Sequence, residues 1–230
     1  MLEVIATTLE DAVVAERYGA DRIELIVAFT EGGLTPSIGT VAAVLETVRI
    51  PVRVMIRPHS RGFVYTPDDL RVMRSDIRHI STVGGTEIVL GLLRQGGAID
   101  RAGLEELLGA ADGMCVTFHR AFDEANDQFA AMELLSQYPQ ITDVLTSGGQ
   151  PTAPQGSERL QELHARFAGR GPSILAGSGL GAANIEVFIR ATGIRRLHVG
   201  SSVRVGSDPL AAIDPARLTA VREIVSRGGG

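Results

Sequence analysis

The sequence predicts a single (β/α)8 barrel, and three observations carry that prediction. Its 230 residues approach the roughly 250 usual for one such barrel. Eight short β-branched or apolar runs alternate with eight stretches of helical spacing, as parallel strands joined by covering helices require. No linker, low-complexity block or shift of composition divides the chain, and residues 1–230 read as one domain.

The elements follow in order. Strands are expected at Leu2–Ala6 (β1), Arg22–Ile26 (β2), Val52–Arg57 (β3), Glu87–Gly91 (β4), Met114–His119 (β5), Asp143–Thr146 (β6), Ser173–Ala176 (β7) and Arg196–Val199 (β8). Helices are expected at Leu9–Tyr18 (α1), Ile38–Val48 (α2), Pro67–Val83 (α3), Arg101–Ala111 (α4), Gln128–Gln137 (α5), Ser157–Ala168 (α6), Ala182–Ala191 (α7) and Pro215–Ser226 (α8). Within them apolar residues recur every three or four positions, the pattern of a helix lying on a sheet. Thr7 or Thr8 can cap α1, Ser37 can cap α2, and Thr66 followed by Pro67 and two acids marks the start of α3.

Composition narrows the function. The formal net charge is −5 with no basic stripe, which argues against a nucleic-acid partner. No apolar run reaches the roughly 18 residues of a membrane span, no signal-peptide pattern opens the chain, and the single Cys115 fits a reducing compartment. The expected location is the cytoplasm. All 22 basic residues are Arg and none is Lys, which excludes Schiff-base aldolases, pyridoxal-phosphate enzymes and P-loop phosphotransferases.

Strand parity assigns the inner face of the barrel. Val52, Val54 and Ile56 suit the helix-facing side of β3, leaving Arg53, Met55 and Arg57 inward. The same alternation turns Glu3 and Ile5 inward in β1, Glu24 and Ile26 in β2, Cys115, Thr117 and His119 in β5, and Arg196 and His198 in β8. Such an interior is unusually charged for this fold. Glu24, Arg57 and His119 lie near the carboxyl ends of their strands, where sites on this fold are found. They are the first candidates for chemistry, whereas the deeper Glu3 and Arg53 read as structural.

The loops after the strands add to this set. Arg57-Pro-His-Ser-Arg-Gly-Phe63 suits carboxylate or phosphate recognition. His119-Arg-Ala-Phe-Asp123 offers a general acid/base with Asp123 as an orienting carboxylate, or else an Arg120–Asp123 pair across the loop. Gly177-Ser178-Gly179 after β7 and Gly200-Ser201 after β8 stand where this fold cradles phosphate on backbone N–H groups. Tight turns without a ligand would use the same residues.

These stretches together resemble the CutC family of copper homeostasis proteins. The matching segments are Gly19–Leu25 ("GADRIEL"), Gly32–Ser37 ("GGLTPS"), Met55–Pro58 ("MIRP"), Thr117–Asp123 ("TFHRAFD"), Leu145–Gly148 ("LTSG") and Ala176–Gly179 ("AGSG"), with Asn184 and His198 in their places. The resemblance covers nearly the whole chain. It implies a TIM-type barrel, a cytosolic homo-oligomer, and copper binding or copper tolerance as the role. The cysteines invoked for Cu(I) in the family correspond here to Ile5 and Ile26, and soft Cu(I) prefers sulfur ligands.

Beside the copper role stands a second expectation, an acid/base enzyme acting on a small anionic or phosphorylated molecule at the carboxyl-terminal mouth. It would be a lysine-independent lyase, isomerase or hydrolase using Glu24, Arg57, His119 and Asp123, with the anion on Gly177, Ser178, Gly179, Gly200 and Ser201. A non-catalytic small-molecule binding module is the third. No HxH or HxxE spacing supports a metal ligand set. The expected partner is thus a small anionic molecule or a metal ion.

Overall fold

Leu2, Val4, Ile23, Leu25 and Val54 are fully buried against the helices, and each such side chain stabilises the fold by about 1.5–3 kcal/mol. Their alternation fixes which face of each strand looks inward. The computed structural model describes residues 1–227. Its strands are β1 Leu2–Ala6, β2 Arg22–Leu25, β3 Val52–Met55, β4 Glu87–Leu90, β5 Cys115–Phe118, β6 Ile141–Thr146, β7 Ser173–Ala176 and β8 Leu197–Val199. They form one closed barrel in sequence order. The β1–β8 seam is parallel and sets Glu3 opposite His198.

The helices are α1 Leu9–Arg17, α2 Ile38–Thr47, α3 Pro67–Thr82, α4 Arg101–Ala110, α5 Gln128–Leu135, α6 Ser157–Phe167, α7 Ile185–Thr192 and α8 Pro215–Arg227. Thr8, Ser37 and Thr66 cap α1, α2 and α3 as expected, and Thr66 completes a capping box with Asp69. Several boundaries move. Helix α7 starts at Ile185 rather than Ala182, because Asn184 Oδ1 accepts from Gly181 N–H and its amide donates to Gly179 O, which makes a turn of that segment. Strand β6 begins two residues earlier than expected, at Ile141. Arg57 and His119 stand just past their strands, at the rim.

The lower lumen holds an ionic lattice. Asp143 receives Arg22 at 3.0 Å, Arg53 at 2.8 Å and Arg196 at 2.6 Å. Arg22 also pairs with Glu3, and Arg53 with Glu87 at 2.8 Å. Three guanidiniums meet three carboxylates, so the charges of this lattice compensate one another, the buried Arg22, Arg53, Glu3 and Asp143 among them. Towards the mouth this gives way to an apolar cluster of Ile5, Ile26, Met55 and Val89.

Candidate functional site

A cavity of about 260 Å³ opens at the carboxyl ends of the strands, and Glu24, Arg57, His119 and His198 all line it. Its apolar wall comes from Ile5, Ile26, Met55 and Leu145 of the strands and from Phe29 and Phe63 of the loops. Each polar group reaches it for a local reason.

Glu24 is on the inward parity of β2, and His198 on that of β8. His198 Nδ1 lies 2.8 Å from Glu3 Oε1, while its Nε2 lies 3.8 Å from Glu24 Oε2. Burial alone would raise the Glu3 pKa, yet Arg22 and His198 outweigh it and hold it at about 2. Glu3 is therefore ionised, and His198 Nδ1–H donates to it. Burial pushes the Glu24 pKa up to about 7, with His198 pulling down and Glu3 pushing up. Burial disfavours charge on His198 too, but Glu24 and Glu3 outweigh it and leave its pKa raised. His198 Nε2 and Glu24 Oε2 are an electrostatic contact at 3.8 Å rather than a hydrogen bond.

Arg57 is steered by the β2 loop. Its Nη1 donates to Glu31 O at 3.0 Å and Gly33 O at 3.2 Å, and its guanidinium lies 4.8 Å from the Phe63 ring centre. No carboxylate pairs with it among the described residues.

His119 packs its ring 4.9 Å from that of Phe63. Its Nδ1 accepts from Ala121 N–H at 3.1 Å, so in the neutral ring the proton is on Nε2. Burial and the Arg57 charge lower its pKa to about 3. His119 is a neutral donor at physiological pH. The ring fits only because residue 91 is glycine: a Cβ there would collide with Nδ1.

Asp123 corrects one sequence expectation. Its carboxylate accepts from Thr146 Oγ1 at 2.5 Å, Ser147 N at 3.1 Å and Gly149 N at 3.0 Å, and pairs with Arg120 at 2.8 Å. It ties down the loop after β6 and does not orient His119, whose Nδ1 is taken by Ala121. The pairing across the loop is the reading that holds. Asp123 does not line the cavity.

The glycine turns divide. Ser178, Gly179, Gly200 and Ser201 line the cavity, joined by Leu180 and Ser202, and the N–H groups of these six residues have no protein acceptor among the described residues. Ser178 and Gly179 both have positive φ, +74° and +69°, a backbone shape that turns successive N–H groups to one side. Gly177 leaves the expected set, since its N–H donates to Thr146 O at 3.1 Å. Its glycine is required by packing: a Cβ would come within 2.6 Å of Leu145.

Four buried polar atoms on cavity-lining residues lack any hydrogen-bond partner among the described residues: Glu24 Oε1, Arg57 Nε, His119 Nε2 and Ser202 Oγ. Each unmade bond costs about 1–3 kcal/mol, and a cluster of them marks a place where a polar ligand completes the structure.

Sequence reasoning did not single out His198 for chemistry, and it passed over Arg22, Asp143 and Arg204. Arg22 shares the parity of Glu24, and Asp143 interrupts an otherwise apolar strand, so both were within reach. Arg204 had no such signal. It is buried in the loop after β8, 2.7 Å from Asp11 Oδ2, and donates to Ile5 O at 3.2 Å.

The copper implied by the resemblance can be tested against these donors. Cys115 begins β5 and is exposed at the opposite end of the barrel, which leaves Met55 as the sulfur on the cavity. Glu3, Glu24 and His198 bring donor atoms within 4.8 Å of one another, but Arg22 and the His198 proton already occupy Glu3. Oxygen and nitrogen donors bound to their own cations do not fit Cu(I).

Among the described residues no helix is long and apolar enough to cross a membrane. The CutC family model matches residues 1–203. A CutC family protein of Enterobacter sp. (strain 638) is 41% identical over 198 residues, covering 86% of this chain and 78% of that protein. One from Yersinia enterocolitica is 39% identical over 206 residues, covering 90% and 80%. A crystal structure of a CutC protein from Streptococcus agalactiae, described there only as a candidate for copper homeostasis, superposes with TM-score 0.81 at 29% identity, covering 86% of this chain and 97% of that one. Phosphoribosyl anthranilate isomerase from Thermococcus kodakaraensis superposes with TM-score 0.66 at 16% identity over 99% of each chain, a likeness of fold alone. Barrel topology, loop signatures and the extent of these matches agree, and the chain belongs to the CutC family.

Proposed function

We propose that this chain binds a small anionic molecule, carrying a phosphate or a similar group, at the carboxyl-terminal mouth and acts on it by acid/base chemistry. The observation that carries the reading is a single cavity lined by four residues that each hold a buried polar atom without a partner among the described residues. Arg57 supplies a positive charge that no carboxylate among the described residues neutralises. The free N–H groups of the β7 and β8 turns add the donors that suit an anion. Glu24, whose pKa burial raises to about 7, supplies a group able to give or take a proton near neutral pH. Copper homeostasis is the role named for the Streptococcus agalactiae relative, and Cu(I) binding draws no support from the donors here.

The test is a pair of thermal titrations at equal ionic strength, with inorganic phosphate and with chloride. Phosphate should raise Tm further, by mass action on the folded state, and Ser202→Ala should weaken the apparent phosphate affinity about five-fold through loss of one hydrogen bond. Equal responses to the two anions would remove the anion site.

A further inference from the structure

The cavity presents one carboxylate able to accept a proton and one imidazole fixed as a neutral donor. We propose that it enolises a small phosphorylated hydroxy-aldehyde or hydroxy-ketone, Glu24 taking the proton from the carbon beside the carbonyl while His119 Nε2–H donates to the carbonyl oxygen. The proposal rests on the reading above and names its substrate class.

Three features lead there. His119 cannot be the base at the cavity, because Ala121 N–H occupies Nδ1 and the remaining nitrogen carries the proton. A buried donor of this kind calls for an oxygen acceptor on the ligand, and a neutral imidazole polarises a carbonyl as it becomes an enolate. Glu24 Oε1 is the buried acceptor without a partner, so the ligand should bring a hydrogen to it. With no lysine in the chain, a carbonyl cannot be activated here as a lysine iminium, and hydrogen bonding must do that work. Arg57 and the β7/β8 turns provide for the phosphate and the developing negative charge.

The step balances without a cofactor. The C–H bond breaks and its proton goes to Glu24. The electron pair forms a carbon–carbon double bond, and the carbonyl π electrons move onto the oxygen held by His119. Return of the proton to the neighbouring carbon, with one hydroxyl proton passing between the two oxygens, gives the isomer and regenerates the carboxylate. Return to the same carbon exchanges hydrogen with solvent.

His198 acts through Glu24 as a positioning residue. The other charged groups that face Glu24 are Glu3, Arg22 and Arg53. Loss of the His198 charge therefore leaves Glu24 a weaker acid.

The experiment follows deuterium uptake from D2O by proton NMR, using dihydroxyacetone phosphate and phosphorylated aldoses and ketoses of four to six carbons. Exchange beside the carbonyl is expected for at least one probe. It should fall at least 10³-fold in Glu24→Gln purified identically, which also controls for contaminating isomerase, and about 10²-fold in His119→Ala. His119→Gln, which keeps a side-chain N–H donor, should recover part of the loss. In His198→Asn the rise of rate with pH should move to higher pH. A phosphate-dependent Tm gain without exchange on any probe, or exchange unaltered in Glu24→Gln, overturns enolisation and leaves the anion site standing. Absence of both exchange and the Tm gain overturns the anion reading as well.

Discussion

His198 Nδ1 donates to Glu3 Oε1 across 2.8 Å and joins the last strand of the barrel to the first. Both groups are buried, and Arg22 shares the same carboxylate. Glu3→Gln should therefore destabilise the fold by about 3–5 kcal/mol at pH 7, because Arg22 and His198 lose a buried counter-charge. The Glu3 pKa is depressed on folding, to about 2. Its stabilisation is fully present above the ordinary value near 4.5 and is lost as pH falls towards 2. Denaturant titrations across that window should show a shallower acid loss in the variant than in the parent.

Glu24 has the opposite sign. Its pKa rises from 4.5 to about 7 on folding, so its contribution is fully present below pH 4.5 and is lost as pH rises through about 7. His198, also raised, loses stabilisation in the same direction. Glu24→Gln should exceed the parent in stability at pH 8 by about 2–3 kcal/mol and match it near pH 4. Equal stabilities at pH 8 would show that Glu24 ionises without cost.

The tautomer of His119 can be observed directly. Nitrogen-15 NMR of the imidazole should report Nε2–H with Nδ1 unprotonated, and the ring should stay neutral down to pH 5, since its pKa is lowered to about 3. A titration midpoint between 6 and 7 would contradict the burial and the neighbouring Arg57 charge that set this state.

Competition with a Cu(I) chelator should show weak binding by the reduced protein, because Ile5 and Ile26 stand on the cavity wall, Met55 is its sulfur, and Cys115 is exposed at the far end of the barrel. Any residual binding should vanish in Cys115→Ser. Stoichiometric tight binding that survives that change would mean that imidazole, carboxylate and thioether groups suffice.

Much of this was legible in the residues. Alternation in β1, β2, β3 and β5 was enough to turn Glu24, Arg57 and His119 towards one mouth, because a side chain in a closed barrel faces either the helices or the lumen. What parity could not reveal was pairing. Asp123 stands in the sequence as either an orienting carboxylate or the partner of Arg120, and Gly177 as an anion donor; contacts with Arg120 and with the neighbouring end of β6 decide both. Arg204 illustrates the same limit, since its partner Asp11 is on the first helix.

Those distant partners have a consequence for the order of folding. Glu3 meets His198 across 195 positions of sequence, Asp11 meets Arg204 across 193, and the first amino group meets Arg195 O across 194. During synthesis the opening strand and helix leave the ribosome long before any of these partners exists. Until then β1 has one unpaired edge and Glu3 lacks its His198 donor. A chain lacking β8 leaves β1 and β7 each with an unpaired edge, and such open margins pair readily with other strands.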